Sequence, residues 1–381
     1  MQIFLENDNI APIYQRMLSL RISKEFASTH SGKGFKTLQE NTEQDERGRE
    51  LLAIEQEAQK NKIIAEHGER HFREQISSQL FSRIDNQVNE ELDNNDLLFS
   101  KTLIIEDSTT AALDILAVRA ASIRRIRPLI ANLTWLADDL ISLVNKPQYR
   151  KRADVQISDI NVAVSYVGLD NLKLVLPTFI LKHYLPHSTS PFALMKRKLW
   201  NESLSIALAT SVLANAANVD EYSAFTAAMF SNMGQLAVCK IYLNSFFEIH
   251  GEDIRAAYQA KDKRLHDVLL SIKVPADLLL TQLTQRSAKI SADMMELMNF
   301  ERLPLTEPLF DLAYTLTIEK MHPIAQLIVK AQAYVAFRSL AKESLITTDE
   351  AKLLFTAAKL NNQDIALLKK SDIDHLKLKF N

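Results

Sequence analysis

The chain has 381 residues, 47% hydrophobic and 24% charged, with a formal net charge of -2. That length suits two domains or one large domain with an extension, and the near-neutral charge gives no reason to expect general binding to nucleic acid or anionic membrane. The single cysteine, Cys239, excludes an intrachain disulfide and argues against a cysteine-based zinc site.

Glycine is scarce, at 7 residues, and proline modest, at 10. Chains poor in these residues and rich in Leu, Ala, Ile, Lys and Glu favour helices, because few positions supply the turns that sheets require. The first residues, MQIFLENDNIAPIYQRM, lack the basic start and apolar core of a secretory signal. No stretch approaches the roughly 18 apolar residues that span a bilayer, so a cytoplasmic protein with no membrane partner is expected.

In chain order, the first element is a short amphipathic candidate over 10–26, with Ile13, Met17, Leu20 and Ile22 near helical spacing. A polar stretch, STHSGKGFKTLQENTEQDERG, then reads as loop or linker. Its Gly32-Lys33-Gly34 lacks the GxxxxGK[ST] spacing of a phosphate loop and no strand precedes it. From Glu50 to Leu92 the pattern is strongly helical, with Ile76, Leu80, Ile84 and Val88 every four residues, a face that can pack on the main domain or pair with another chain. His67 and His71 stand at a metal-compatible spacing on this helix. However, Gly68 holds the place of the glutamate that the zinc-protease motif needs, so a solvated helix face is the expectation.

A second regime begins near Thr109. Ile123, Ile126, Leu129 and Ile130 lead into Trp135, Leu136, Leu140, Leu143 and Val144, with Pro128 in a first turn or at a kink. Basic clusters at Arg124, Arg125 and Arg127 and at Arg150, Lys151 and Arg152 lack interleaved aromatics, which favours solvated faces over a nucleic-acid groove. Residues 157–176, ISDINVAVSYVGLDNLKLVL, divide into two helices, with Ser158 or Asp159 capping the first, Gly168 ending it in a left-handed conformation, Asp170 capping the second and Pro177 beyond its end. Pro186 and Pro191 mark a connection.

Residues 198–217 form a long alanine-rich helix. Asp220 caps the next stretch, 224–238, whose small and apolar residues enclose one polar pair, Ser231-Asn232, with Gly234 as the turn after its helix. Further helices are expected over 246–260, 290–298, 309–318, 323–340, 348–360 and 363–370, with Thr347 to Glu350 as a capping segment. No period-2 ladder occurs, so the fold class is all-α. Adjacent Asp138-Asp139 point about 100° apart and cannot face each other as an acid/base pair. His183 and His187 have metal-like spacing, but Pro186 argues against an intact helix there. Cys239, in LAVCKIYL, reads as a buried inert thiol.

Trp135 to Asn145, then ISDINVAVSYVGLDNLKLVL, LWNESLSIALATSVLA and FTAAMFSNMGQLAV, together resemble the HDOD family of bacterial proteins. The second block matches the family pattern through Ile157, Ser158, Ile160, Ala163, Val164, Val167, Gly168, Leu172 and Val175. Leu143-Val144-Asn145 fits the L-x-N-S segment before it, with Lys146 in place of serine, and Leu133-Thr134 stands where the family carries Asp-Pro. The resemblance spans about residues 110–375. It implies a multi-helical two-lobe domain over 106–375, comprising an N-terminal helical lobe (106–190) and a degenerate HD-like lobe (195–375); residues 1–105, which the resemblance does not cover, read from their own pattern as a helical extension with a flexible linker.

Active relatives of that wider superfamily hold metal through a histidine, a His-Asp pair and a later aspartate, and use it to activate water and polarise a phosphoryl oxygen. By the resemblance those positions fall on Glu202, on Ser231-Asn232 and on Gln332, which are therefore vestigial HD-pocket positions. A hydroxyl and two neutral amides are poor ligands for a divalent transition metal. The resemblance thus implies no cofactor, no metal and no catalytic residue. The expected protein is a non-catalytic regulatory or scaffolding component of bacterial signal transduction that contacts other signalling proteins and can homodimerise through its N-terminal helices. The alternative is a residual or altered phosphohydrolase, or a nucleotide-binding sensor, using the degenerate pocket.

Overall fold

The structure, a computed structural model, describes residues 2–30, 53–118, 120–149, 156–315 and 317–380, and among them every regular element is helical. Gly32-Lys33-Gly34 and the Arg150-Lys151-Arg152 cluster lie outside the described residues.

One turn, α1 (Gln2–Leu5), precedes α2 (Ala11–Ile22), which starts with Pro12 in its first turn, where the missing N–H is not needed. The expected single helix over 10–26 is interrupted at Ser23, whose hydroxyl accepts from Phe26 N at 3.0 Å and opens α3 (Lys24–Thr29). Ser23 competes for backbone groups as a cap, which ends one helix and starts another. Nearly all of α2 is buried, including Tyr14, Met17, Arg16 and Arg21. Helix α4 (Ala53–Leu92) buries the anticipated stripe Leu80, Ile84 and Val88, and Leu92 extends it. Ion pairs to later helices flank the stripe, from Arg83 to Asp253 at 2.7 Å and from Arg286 to Asp93 at 2.6 Å.

After α5 (Asn95–Leu97) and a π-helical turn over Leu98–Leu103, four helices pack on one another: α6 (Asp107–Ala117), α7 (Ile123–Asn132), α8 (Thr134–Val144) and α9 (Ile160–His183). Asn145 closes α8 and ties down the following segment: its amide donates to Ile141 O at 2.9 Å and Ile157 O at 2.7 Å, and its oxygen accepts from Ile157 N at 3.0 Å. Asp159 caps α9 through Asn161 N at 2.7 Å.

Gly168 breaks the helical path as expected, but with φ 74° and ψ 162°, an extended rather than left-handed helical conformation that only glycine adopts readily. Helix then resumes at once and runs through buried Pro177 to His183, not stopping before the proline. Burial of Leu172, Val175, Leu176, Ile180 and Leu181 on both sides of Pro177 outweighs its propensity penalty of about 3 kcal/mol. By length and composition α9 is also apolar enough to cross a membrane, which the sequence reading did not anticipate. Yet 56% of its most apolar window is buried inside the fold, and the Gly168 kink divides it.

The remaining helices are α10 (Met195–Ala216), α11 (Glu221–Phe230), α12 (Met233–Gln259), α13 (Lys263–Ser271), α14 (Ala276–Met298), α15 (Thr306–Tyr314), α16 (Pro323–Lys342), α17 (Thr348–Ala357) and α18 (Asn362–Lys370). The stretches expected over 246–260 and 290–298 are the ends of longer helices, α12 and α14, and a short 3-10 turn at Ile318–Lys320 follows α15. The capping box at α17 forms as expected, with Thr347 N to Glu350 Oε2 at 2.8 Å and Glu350 N to Thr347 Oγ1 at 3.2 Å.

Buried apolar residues form one continuous cluster from Phe4 to Ile373, so both ends of the chain join the same core. The C-terminal tail is held on α9 by Asn171, which donates to Lys379 O at 2.7 Å and accepts from Lys379 N at 2.9 Å.

Gly234 is buried in the first turn of α12, where a methyl group would lie 1.9 Å from Ser287 O on α14. Its role is close helix approach, not the turn after a helix that the sequence suggested. Because backbone must yield, Gly234→Ala is expected to destabilise by about 1–3 kcal/mol or more, measurable as a lowered urea midpoint with an unchanged m-value.

Candidate functional site

The expected stretch over 224–238 is two helices meeting at Ser231-Asn232. Asp220 starts α11 by accepting from Ser223 N at 2.8 Å, and the run from Ala224 to Phe230, apolar except for Thr226, is fully buried. The chain then turns through Ser231 and Asn232, and α12 begins at Met233 with Gln235 N bonded to Asn232 O at 3.0 Å. The polar pair therefore sits at a helix junction inside the core, with Asn232 buried.

Ser291 on α14 organises the junction. Its hydroxyl donates to Ser231 O at 2.9 Å and accepts from Gly234 N at 2.8 Å. Ser231 Oγ donates back to Ala228 O at 2.7 Å and receives a long contact, 3.5 Å, from Gln332 Nε2 on α16. Asn232 Oδ1 accepts from Gln235 Nε2 at 3.1 Å. Glu202 on α10 does not touch these residues directly. It is joined to them by a residue the sequence reading did not single out, Arg21 of α2.

Arg21 and Glu202 are only 2% and 8% exposed. Arg21 Nε donates to Glu202 Oε2, and its NH1 donates to Gln235 Oε1, which turns the Gln235 amide toward Asn232. A relay thus runs from Glu202 through Arg21 and Gln235 to Asn232. Tyr14, two turns before Arg21 on the same face of α2, is pushed up to about 12 by burial, with Arg21 lowering and Glu202 raising its pKa. Lys198 Nζ donates to Leu20 O and so fastens the end of α2 to α10.

Beside this cluster a space of about 20 Å³ is lined by Tyr14, Ser231, Gln235, Ser287, Ser291 and Gln332, among others. That is room for about one water molecule. Ser287 Oγ and Gln332 Oε1 are buried there without a protein partner, and so, at the junction, is Asn232 Nδ2.

The residues do not fit a divalent metal. Three of the four family positions are neutral, the one carboxylate is engaged by a guanidinium, and about four donors in a closed shell are the usual requirement. Among the described residues, no group of three or more His, Cys, Asp and Glu side chains could hold such an ion. His67 and His71 are exposed on α4, and Glu69 between them pairs with Arg264 at 3.1 Å. His183 ends α9 and stacks on Trp135 with ring centroids 4.0 Å apart, while exposed His187 lies beyond the helix. Asp139 faces Lys182 at 4.0 Å, and exposed Asp138 points elsewhere.

This is an all-helical core with a polar notch at a helix junction and a side-chain cation beside it. Residues 105–272 match the model of the HDOD domain. Glu202, Ser231 and Asn232 lie within the match, and Gln332 lies beyond it. A solved structure from Shewanella amazonensis SB2B, provisionally assigned as a metal-dependent phosphohydrolase, is 14% identical, covering 78% of this chain and 94% of its own at a TM-score of 0.44. No curated protein matches the chain significantly.

Cys239 is fully buried and its thiol is pushed up to about 12 by burial. An aromatic disulfide reagent at pH 8 is expected to leave it unreacted in the native protein and to titrate one thiol per chain in denaturant. Rapid native labelling would contradict the inert assignment.

Proposed function

We propose that this protein is a non-catalytic regulatory or scaffolding component of bacterial signal transduction, acting in the cytoplasm through contacts with other signalling proteins. The observation that carries the reading is the state of the notch. Ser231, Asn232 and Gln332 offer no anionic donor, and the only carboxylate, Glu202, is neutralised by Arg21 inside the core. Activation of water by a metal needs an ion with an open coordination position, and this donor set supports none. The helical framework is nevertheless intact around the notch, which is consistent with selection for shape and surface instead of turnover.

Of the N-terminal helices, α2 is largely consumed by the core, which leaves the outer face of α4 as the surface on which a second copy or another protein would sit. Grooves run along both sides of α4, one lined by Ile76, Leu80, Leu265 and Leu269 and the other by Phe81, Pro275 and Leu278.

The protein, equilibrated with Mn²⁺, Mg²⁺ or Zn²⁺ and gel-filtered, is expected to retain no stoichiometric metal and to hydrolyse bis(p-nitrophenyl) phosphate no faster than buffer. Metal-dependent turnover that disappears in Ser231→Ala or Asn232→Ala would sink the regulatory reading in favour of a residual phosphohydrolase.

A further inference from the structure

We propose that Glu202 and Gln235 form a guanidinium-binding site at the centre of the HD-like notch, occupied in cis by Arg21, so that the chain supplies from its own N-terminal helix a cation in place of a metal. The chemistry of the site matches this ligand class. A guanidinium is planar, permanently charged and a multiple donor without acceptors, so it needs acceptor oxygens and no electron-pair donation to a metal. Glu202 presents a carboxylate oxygen to Nε, and Gln235 presents its amide oxygen to NH1. Gln235 is fixed in that orientation because its NH₂ end donates to Asn232 Oδ1 at 3.1 Å. Asn232, at one of the vestigial positions, thereby orients the acceptor instead of ligating.

A second observation makes α2 and α3 a docked segment and not merely adjacent chain. Three of their cations each meet a different acid from the C-terminal half: Arg16 reaches Glu350 at 2.9 Å, Arg21 reaches Glu202, and Lys24 reaches Glu343 at 2.8 Å. Arg16 also donates to Leu345 O at 2.7 Å and His30 O at 3.1 Å. The outer pairs are partly open to water and contribute little individually. The central pair is dry, and its value depends on both partners being present, since an unpartnered buried charge is far worse than an apolar pair of similar shape.

The test is a double-mutant cycle on the full chain with Arg21→Met, Glu202→Met and the double substitution, read as Tm. Each single variant is expected to fall by several degrees, and the double to be more stable than either single, even if a single variant fails to fold. Additive losses would overturn the proposal, because they would mean ordinary packing. Ligand class is tested on Arg21→Ala with ethylguanidinium at millimolar concentration against ethylammonium at equal concentration. Tm is expected to rise with ethylguanidinium alone, and not in wild type or in Arg21→Ala/Glu202→Met. No rise, or an equal rise with both salts, would overturn the assignment of a guanidinium site. A hydrolase activity would defeat the regulatory reading while leaving the cycle and the rescue to stand or fall by themselves.

Discussion

A buried positive charge must be answered inside the protein, and Arg21 imposes that constraint on everything around it. Removing one partner of such a pair costs about 3–5 kcal/mol, because the survivor stays desolvated and alone. Arg21 is answered by Glu202 from α10 and Gln235 from α12, so three helices far apart in sequence are held in one geometry. Tyr14 feels the same charges and is kept a neutral phenol by burial. An electrostatic requirement thus sets where α2 lies, and the apolar residues of α2 fill the space that this position leaves.

The second constraint is steric. At the Ser231-Asn232 junction, α12 and α14 approach so closely that only Gly234 fits, and Ser291 satisfies the backbone exposed by the close crossing. The junction's side chains bond to backbone and to each other: Ser231 to Ala228 O, Asn232 to Gln235, and Gln332 weakly to Ser231. Two of the buried atoms left without protein partners, Ser287 Oγ and Gln332 Oε1, belong to residues that border a space suited to about one water. The notch is a polar joint between helices.

Much of the architecture is legible in the sequence because it follows from local chemistry. The Leu80, Ile84 and Val88 stripe, the caps at Asp159, Asp220 and Thr347, and the kink at Gly168 each need only a few neighbouring residues to form. Where the reading departs from the structure, tertiary packing has overridden local propensity, as at Pro177, or a polar residue has cut a periodic stripe, as at Ser23. Glu202, Ser231, Asn232 and Gln332 are legible through motif order, but Arg21 is not, since its partner is 181 positions away. A signal does exist: Tyr14, Met17 and Arg21 share one helical face, and a charge on an otherwise apolar face calls for an opposite charge. The sequence does not say which acid answers it.

The span of these contacts bears on how the chain is made. During synthesis α2 emerges well before its acceptors at Glu202, Gln235, Leu345 and Glu350, which lie 181 to 334 positions further on. Its apolar face and its arginines must wait in water or on a chaperone until then. Likewise, Lys379 is stitched to Asn171 across 208 positions, so a later segment closes over an earlier helix. The contacts that hold α2 in the core can therefore form only once Leu345 and Glu350 have been made.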